Sequence, residues 1–181
     1  MLKKVVVIGP ESTGKSTLCA NLSAHFKTDW VKEYAREYLI ANGTHYTFDN
    51  LLEVAKGQIN QEESAIIKMT NIKDNASPEI LFIDTDMYVM KVWCEFVFEQ
   101  CHHWILNKIV EGKYDLYLLC NIDQPWVSDE LREYPDLVTR EKLYHYYKDI
   151  MINQQVPWID ISGNYEERFA KAIAAVNALR N

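Results

Sequence analysis

Residues 8–17 read IGPESTGKST and directly follow the apolar run VVV at residues 5–7. From Gly9 to Ser16 the letters fit the pattern G-x-x-x-x-G-K-[ST], which needs a strand before it and a helix after it. In such a loop, successive backbone N–H groups converge on phosphate oxygens, and the helix N-terminus adds partial positive charge. The stretch therefore predicts a phosphate-binding loop between a buried strand and a helix, in preference to a glycine turn that carries a lysine by chance.

The residues of this loop have defined expected roles. Lys15 is expected to reach the β- and γ-phosphates and to act in catalysis, and the Ser16 hydroxyl is expected to ligate magnesium. The residues expected to bind the nucleotide are Gly9, Glu11, Ser12, Thr13, Gly14, Lys15, Ser16 and Thr17. The loop alone leaves the choice between ATP and GTP open; ATP with Mg²⁺ is the ligand that we expect.

Composition limits the classes of protein to consider. With 181 residues, of which 48% are hydrophobic and 25% charged, the chain predicts one compact domain over residues 1–181. A formal net charge of −7 argues against a nucleic-acid binder, which needs clustered basic residues. Four cysteines without a C-x-x-C pair indicate a reducing, cytoplasmic location, and no stretch approaches membrane-spanning length. The sequence leaves the oligomeric state open, a homo-oligomer included.

Short apolar runs alternate with helical patterns along the chain. Apolar runs and one shorter strand signal predict five strands, at residues 5–8, 30–32, 80–83, 116–119 and 156–161. The helical pattern after the second strand signal is expected to end at Ser77-Pro78, and Asn164 with Glu167 predicts the start of the last helix. Continuous apolar strands that alternate with helices predict an α/β fold with a parallel sheet.

Residues 80–86 read ILFIDTD and place two carboxylates after a buried strand. Magnesium bound with a nucleotide needs such a carboxylate, so we assign Asp84 to the metal and Asp86 to catalysis. The alternative, in which the carboxylates cap the next helix, fits Asp86 better than Asp84. The sequence leaves open whether Asp84, Asp86 or Glu33 is the base.

The nucleotide-binding classes differ in their further signals. Residues 107–110 read NKIV and lack the aspartate of the guanine-reading N-K-x-D, while AAA-type motors are normally larger than this chain. A small nucleoside or nucleotide kinase fits the length, with a mobile lid predicted at about residues 124–148. In that lid, Arg132 is expected to neutralise charge on the transferring phosphoryl group. Arg140 is expected to be a solvated residue that pairs with acidic neighbours.

Residues 31–39 read VKEYAREYL and follow the second predicted strand, where the phosphate acceptor is expected. A carboxylate such as Glu33 can orient or deprotonate a ribose hydroxyl, and an aromatic face such as Tyr34 can stack on a cationic ring. The alternative is that these residues form an ordinary amphipathic helix start.

Taken in order, GPESTGKST, EYAREY, FIDTD and PWVSDELR resemble the ribosylnicotinamide kinase domain of NadR-type proteins over nearly the whole chain. The resemblance implies an adenylate-kinase-like P-loop fold and ATP-dependent phosphorylation of nicotinamide riboside to nicotinamide mononucleotide. It also implies substrate-binding roles, carried by Glu33, Tyr34, Arg36, Trp126 and Asp129.

The chain departs from the family at two points. It lacks the HxGH-type motif of an adenylyltransferase, so kinase activity alone is expected. Residues 87–91 read MYVMK where the family carries a threonine pair. A kinase for another nucleoside, and a regulatory ATPase without nucleoside kinase activity, are the alternatives.

Two other constellations are interpreted as structural. Cys94, Cys101, His102 and His103 match no usual zinc spacing, so a metal site there is not expected. The tryptophans Trp93, Trp104 and Trp158 are expected in the core rather than at a stacking site.

Overall fold

The computed structural model describes residues 2–71 and 80–179. Within them, five parallel strands form one sheet in the order β2-β3-β1-β4-β5. The strands are β1 Lys3–Ile8, β2 Trp30–Val31, β3 Ile80–Asp84, β4 Leu116–Cys120 and β5 Trp158–Ile161. The predicted α/β fold with five parallel strands is confirmed.

Helices connect the strands and cover both faces of the sheet. Within the described residues they are α1 Lys15–Phe26, α2 Tyr34–Asn42, α3 Phe48–Thr70, α4 Met87–Phe98, α5 His103–Glu111, α6 Leu137–Asn153 and α7 Tyr165–Ala178. The capping box predicted for the last helix is present, because Asn164 and Glu167 exchange side-chain and backbone hydrogen bonds. Helix α3 ends at Thr70, and the stop expected at Ser77-Pro78 lies outside the described residues.

The sheet is buried on both faces because its strands are continuously apolar. Val6 and Ile8 of β1 face a core shared with α4 and α6, whereas Val5 and Val7 face α1 and α7. A third cluster of buried side chains is formed by the four helices α2, α3, α4 and α5. Among the described residues, no helix has both the length and the apolar composition to cross a bilayer.

The topology brings the predicted site residues to one edge of the sheet. Strand β1 lies between β3 and β4, and all three strands end at the same side. In open parallel sheets, ligands bind outside the carboxyl ends of the strands, at the point where the strand order reverses. Residues 9–14, after β1, occupy that point.

Candidate functional site

The loop after β1 has the backbone geometry that its glycines allow. Gly9 has φ +139°, and a Cβ there would lie 2.7 Å from the carbonyl oxygen of Cys120 at the end of β4. Gly14, with φ +80°, directly precedes α1. Only glycine meets both requirements at low cost, so the loop wraps tightly around the start of α1.

Lys15 points back across the mouth of this loop. Its Nζ donates to the carbonyl oxygen of Pro10 at 2.9 Å, and the Thr13 hydroxyl donates to the same oxygen at 2.8 Å. The Lys15 side chain is largely buried. A lysine held by a single carbonyl can exchange that contact for the oxygens of a phosphate.

A cavity of about 230 Å³ begins at the loop and runs towards α2 and α4. Residues 9–17 line one end of it, which includes the eight predicted nucleotide-binding positions. Leu131, Arg132, Glu133 and Tyr134 line it from the segment before α6. The structure therefore brings the phosphate loop and the predicted lid arginine to one cavity.

The α2 and α4 side of the cavity combines charged and aromatic side chains. Glu33 and Arg36, which are expected to face the acceptor, line it near α2. Helix α4 contributes Val89, Val92, Trp93 and Phe96. These four residues recur at helical spacing after FIDTD, a pattern that indicates one shared face. The expectation that Trp93 belongs only to the core is thus incomplete, since its side chain also bounds the cavity.

Asp84, at the end of β3, lies beside the phosphate loop. The Ser16 hydroxyl donates to Asp84 Oδ2 at 2.5 Å, while Oδ1 is buried without a hydrogen-bond partner in the described part of the chain. Burial, together with the charge of Glu33, raises the pKa of Asp84 to about 6. An unpartnered carboxylate oxygen beside a serine hydroxyl fits the hard oxygen ligands that Mg²⁺ requires.

Asp86 has a different environment from the one its catalytic assignment requires. Its Oδ1 accepts the backbone N–H groups of Tyr88 and Val89, at 2.9 and 3.4 Å, and its Oδ2 accepts the Tyr117 hydroxyl at 2.8 Å. Asp86 is thus the N-cap of α4, and the cavity lining of the described chain does not include it. Burial raises the pKa of Asp86 to about 6. The geometry corresponds to the helix-capping alternative.

Tyr34 also lies away from the cavity, against α3. A Cβ on Gly57 would lie 2.0 Å from the Tyr34 ring, so the ring packs directly on the glycine backbone. This position does not support the expected stacking role. Among the described residues, the aromatic side chains that line the cavity are Trp93, Phe96, Tyr134 and Tyr147.

Gln58 of α3 organises the strand ends next to Glu33, although the sequence analysis did not single it out. Its side-chain oxygen accepts the Tyr34 N–H at 2.8 Å, and its amide donates to the carbonyls of Lys32 and Asp84 at 3.3 Å. The side chain is fully buried. Gln58 thereby holds the backbone on both sides of Glu33 and connects it to the end of β3. A lone glutamine in a helix carries no sequence signal for such a role.

The segment before α6 contacts α2 through the predicted substrate-binding residues. Arg36 donates to both carboxylate oxygens of Asp129, at 2.9 and 3.3 Å. Asp129 therefore pairs with Arg36 and is not part of the cavity lining found among the described residues. Trp126 also lies outside that lining, and its buried indole N–H has no acceptor within residues 2–71 and 80–179. Their expected substrate-binding roles stay predictions.

Arg140 is not the solvated residue that the sequence predicts. Its side chain is buried and donates to the carbonyls of Ile122 and Gln124, at 3.4 and 3.2 Å. The start of α6 packs against the loop after β4, so the guanidinium satisfies carbonyls there instead of pairing with neighbouring acids. The prediction for Arg140 was wrong because local acidic residues do not reveal which face of a helix is buried.

Arg168 of α7 is a second buried arginine, one that the sequence analysis missed. It donates to the carbonyls of Thr13 and Asn121 at 2.7 Å, to that of Gly163 at 3.0 Å, and to the carboxylate of Asp123. One guanidinium thus joins the phosphate loop to the loops after β4 and β5.

The cysteine and histidine cluster has ordinary structural contacts. The His102 ring stacks on Phe48, and His102 Nε2 lies 3.0 Å from the Phe48 carbonyl oxygen. Within residues 2–71 and 80–179, no three His, Cys, Asp or Glu side chains are grouped in a way that could hold a metal ion. All four cysteines are free.

Comparisons with known proteins identify relatives of this chain. Residues 4–168 match the AAA_28 family model, described as an AAA domain. The chain is 25% identical to the trifunctional NAD biosynthesis/regulator protein NadR of Escherichia coli strain K12 over 98% of its own length and 43% of the relative's. The NadR protein of Salmonella typhimurium strain LT2 shows the same identity and coverage. The chain thus spans less than half the length of these curated relatives.

Solved structures share the fold. A NadR protein in complex with NR superposes with a TM-score of 0.80 at 24% identity, over 98% of this chain and 49% of that one. A NadR protein in complex with NAD and AMP-PNP gives 0.74 at 23%, with the same coverage. A deoxyadenosine kinase from M. mycoides, with products bound, gives 0.63 at 15% identity over 97% of this chain and 99% of that one. At these identities the likeness establishes the fold.

Proposed function

The chain belongs to the AAA_28 family of AAA domains, and we propose that it binds ATP with Mg²⁺ and transfers the γ-phosphate to nicotinamide riboside, which yields nicotinamide mononucleotide. The family description leaves the reaction open, since P-loop domains serve both motors and kinases. Similarity to NadR, a NAD biosynthesis protein, extends over 98% of the chain and supports the kinase. The fold likeness to a complete deoxyadenosine kinase is compatible with a kinase of this length.

The observation that carries the proposal is the continuity of the cavity. It extends from Lys15, in the phosphate loop, to Glu33 and Trp93 near α2 and α4. An ATPase that only hydrolyses nucleotide does not need a cavity that extends from the phosphate loop to α2 and α4 in this way. A space that joins phosphate donors to a carboxylate and aromatic faces can hold a second substrate next to the γ-phosphate.

The charges on the α2 and α4 side of the cavity suit a cationic nucleoside. Nicotinamide riboside carries a positive pyridinium ring, which carboxylates attract and aromatic faces stabilise through cation–π contact. Glu33 supplies the carboxylate, and Trp93, rather than Tyr34, supplies an aromatic face. Arg36 is charge-paired with Asp129, so its positive charge is partly neutralised.

In the proposed reaction, the primary hydroxyl oxygen of the ribose forms a bond to the γ-phosphorus while the bond to the β,γ-bridging oxygen breaks. ADP leaves with the electron pair, and the hydroxyl proton passes to a carboxylate, for which Glu33 is the cavity-lining candidate. Lys15 and Arg132 stabilise the negative charge on the transferring group. Asp86, which caps α4, is assigned a structural role.

Ser16 and Asp84 are the residues that would hold magnesium, on the basis of the unpartnered Asp84 oxygen and the hydroxyl beside it. The metal would neutralise charge on the phosphates and keep them in line for transfer. We further propose that residues 1–181 act as a single kinase domain with its lid at about residues 124–148, and that the protein works in the reducing cytoplasm.

The test is ADP release, coupled to a spectrophotometric readout, with nicotinamide riboside, uridine or cytidine as acceptor. We expect a clear preference for nicotinamide riboside in the wild type and a weaker preference in Glu33→Gln. Tyr34→Leu serves as the matched control and should keep the preference, because its ring packs on Gly57 outside the cavity. Equal use of the three nucleosides would remove nicotinamide riboside as the substrate. ADP release that no nucleoside increases would favour a regulatory ATPase.

A further inference from the structure

Glu11, in the phosphate loop, has its carboxylate hydrogen-bonded to the backbone of the segment before α6. Its two oxygens accept the backbone N–H groups of Glu133 and Tyr134, at 3.0 and 2.5 Å. The neighbouring Ser12 hydroxyl accepts the N–H of Val127 at 2.9 Å. Two side chains of the phosphate loop therefore bind the backbone of residues 127–134, which we call the lid segment.

A nucleotide-binding role for the Glu11 side chain does not fit this geometry and charge, whereas the expected role of its backbone N–H in the loop stays a prediction. A carboxylate repels phosphate, and both of its oxygens are already engaged by N–H donors. Such hydrogen bonds to a charged acceptor are stronger than those between neutral groups. Arg140 also lies close enough for its positive charge to interact with Glu11. The carboxylate is thus suited to hold the lid segment.

Arg132 lies between the two points at which the loop binds the lid segment. Its guanidinium donates to the Val127 carbonyl, and the residue that follows it, Glu133, is held by Glu11. On the acceptor side, Tyr46 donates to the Glu133 carboxylate at 2.9 Å, and Trp93 donates to the Tyr46 hydroxyl at 2.9 Å. The phosphate loop therefore holds the backbone around Arg132. Through Glu133 and Tyr46, the same segment is also hydrogen-bonded to Trp93, which lines the cavity.

We propose that Glu11 is a positioning residue, which anchors the lid segment on the phosphate loop and thereby sets the place of Arg132 over the transferring phosphoryl group. This inference rests on the proposed kinase function for its kinetic consequence, whereas the anchoring itself does not. Loss of the carboxylate should leave ATP binding nearly unchanged and misplace Arg132 in the transition state.

The kinetic test compares Glu11→Ala, Glu11→Gln, Arg132→Ala and the double variant Glu11→Ala/Arg132→Ala. We expect Glu11→Ala to lower kcat roughly 10- to 100-fold, with KM for ATP changed less than about threefold. Glu11→Gln should recover part of the rate, because its amide oxygen still accepts one N–H. The double variant should be little slower than Arg132→Ala, since both changes remove the same contribution. A rise in KM for ATP would make the Glu11 side chain a nucleotide contact, and additive losses of rate would show that Glu11 and Arg132 act independently. Either result would overturn the proposal.

Hydrogen exchange at the amides of Glu133 and Tyr134 tests the anchoring without turnover. In Glu11→Ala, exchange there should accelerate at least about tenfold, while amides of the sheet keep their wild-type rates. Glu141→Ala, which removes an exposed carboxylate from the start of α6, is the matched control. It should leave hydrogen exchange at Glu133 and Tyr134, and in the sheet, at the wild-type rates. Unchanged exchange in Glu11→Ala would overturn the proposal even if the enzyme is a kinase. Faster exchange in a protein that phosphorylates no nucleoside would support the anchor and refute only the proposed function.

Discussion

Lys15 is a buried cation whose Nζ contacts one backbone carbonyl in its own loop. Its removal takes little from the apolar core, because the hydrophobic clusters of the sheet lie behind the loop. We therefore expect Lys15→Ala to lower kcat by about 100-fold or more, the loss seen when a catalytic charge donor is removed, with a Tm within about 2 °C of the wild type. Lys113→Ala, an exposed lysine outside the site, is the control. Near wild-type turnover in Lys15→Ala would exclude the proposed role.

Asp84 is expected to respond to magnesium. Replacement by asparagine keeps the size of the side chain and removes the charge, so Asp84→Asn should raise the magnesium concentration needed for half-maximal activity by about tenfold. Excess metal should restore part of the rate. Titration of activity with MgCl₂ measures the effect, and an unchanged requirement would show that Asp84 does not hold the metal.

Asp86 should affect stability in a pH-dependent way, with little effect on the chemistry. Its pKa is raised to about 6 by burial, so the folded protein binds this proton more tightly than the unfolded chain. The corresponding stabilisation is complete below about pH 4 and is lost as the pH rises through about 6. Asp86→Asn cannot lose this proton. The difference in the free energy of unfolding between Asp86→Asn and the wild type should therefore shift in favour of the variant by about 1–3 kcal/mol from pH 4 to pH 7.

Urea unfolding at several pH values measures this difference. Asp86→Asn should also keep most of its activity at saturating magnesium, because the asparagine oxygen can still cap α4. A large loss of rate in a stably folded Asp86→Asn would return this residue to catalysis.

At the scale of elements, α3 acts as the support of the acceptor side. Its buried Gln58 holds Lys32, Tyr34 and Asp84 by their backbone groups, and its Gly57 lets the Tyr34 ring approach closely. The short strand β2 pairs with β3 over two residues only. The position of Glu33 therefore depends on α3 as much as on its own strand.

Gln58→Met tests this support, because methionine has a similar shape and cannot satisfy the three backbone groups. We expect a loss of about 1–3 kcal/mol in the free energy of unfolding and a raised KM for the acceptor, with KM for ATP less affected. Asn60→Met, at an exposed position of the same helix, should cost less than about 0.5 kcal/mol. Equal effects of the two substitutions would show that the hydrogen bonds of Gln58 contribute nothing specific.

At the scale of the whole molecule, Arg168 connects the last helix to the phosphate loop, which is formed at the other end of the chain. Its donors satisfy carbonyls in three loops that follow different strands. The order of these strands in the sheet places their ends side by side. Correct docking of α7 is therefore a condition for the final shape of the nucleotide site.

Arg168→Met should lower the free energy of unfolding by about 2–4 kcal/mol, since it leaves buried carbonyls and the Asp123 carboxylate without their donor. Nucleotide affinity should fall as well, because the Thr13 carbonyl is no longer held. Lys171→Met removes an exposed cation of the same helix and should cost less than about 1 kcal/mol. Urea midpoints and nucleotide titrations measure both effects, and similar costs for the two variants would contradict the proposed link.

The sequence alone was sufficient to predict the fold and the strand–loop–helix geometry around residues 9–16. IGPESTGKST and four apolar runs are local patterns, and local patterns specify strands, a tight loop and helix starts without knowledge of distant contacts. The place of Asp84 beside Ser16 followed from the same logic, because parallel strands end at one edge of a sheet. Glu33, Arg36 and Arg132 line the cavity, and the roles expected of them stay predictions.

Only the tertiary structure decided which of the remaining polar residues face the cavity. Asp86 lies two residues after Asp84, yet it caps α4. Tyr34 directly follows Glu33, yet its ring packs on Gly57. Arg140 is buried and bonds the loop after β4, on the other side of the lid segment. Arg168 bonds Thr13, which is 155 residues away, and Glu11 is bound by Tyr134, which is 123 residues later. A side chain's partner across such a distance depends on how helices pack on the sheet, and this packing is not encoded in the local periodicity of the sequence.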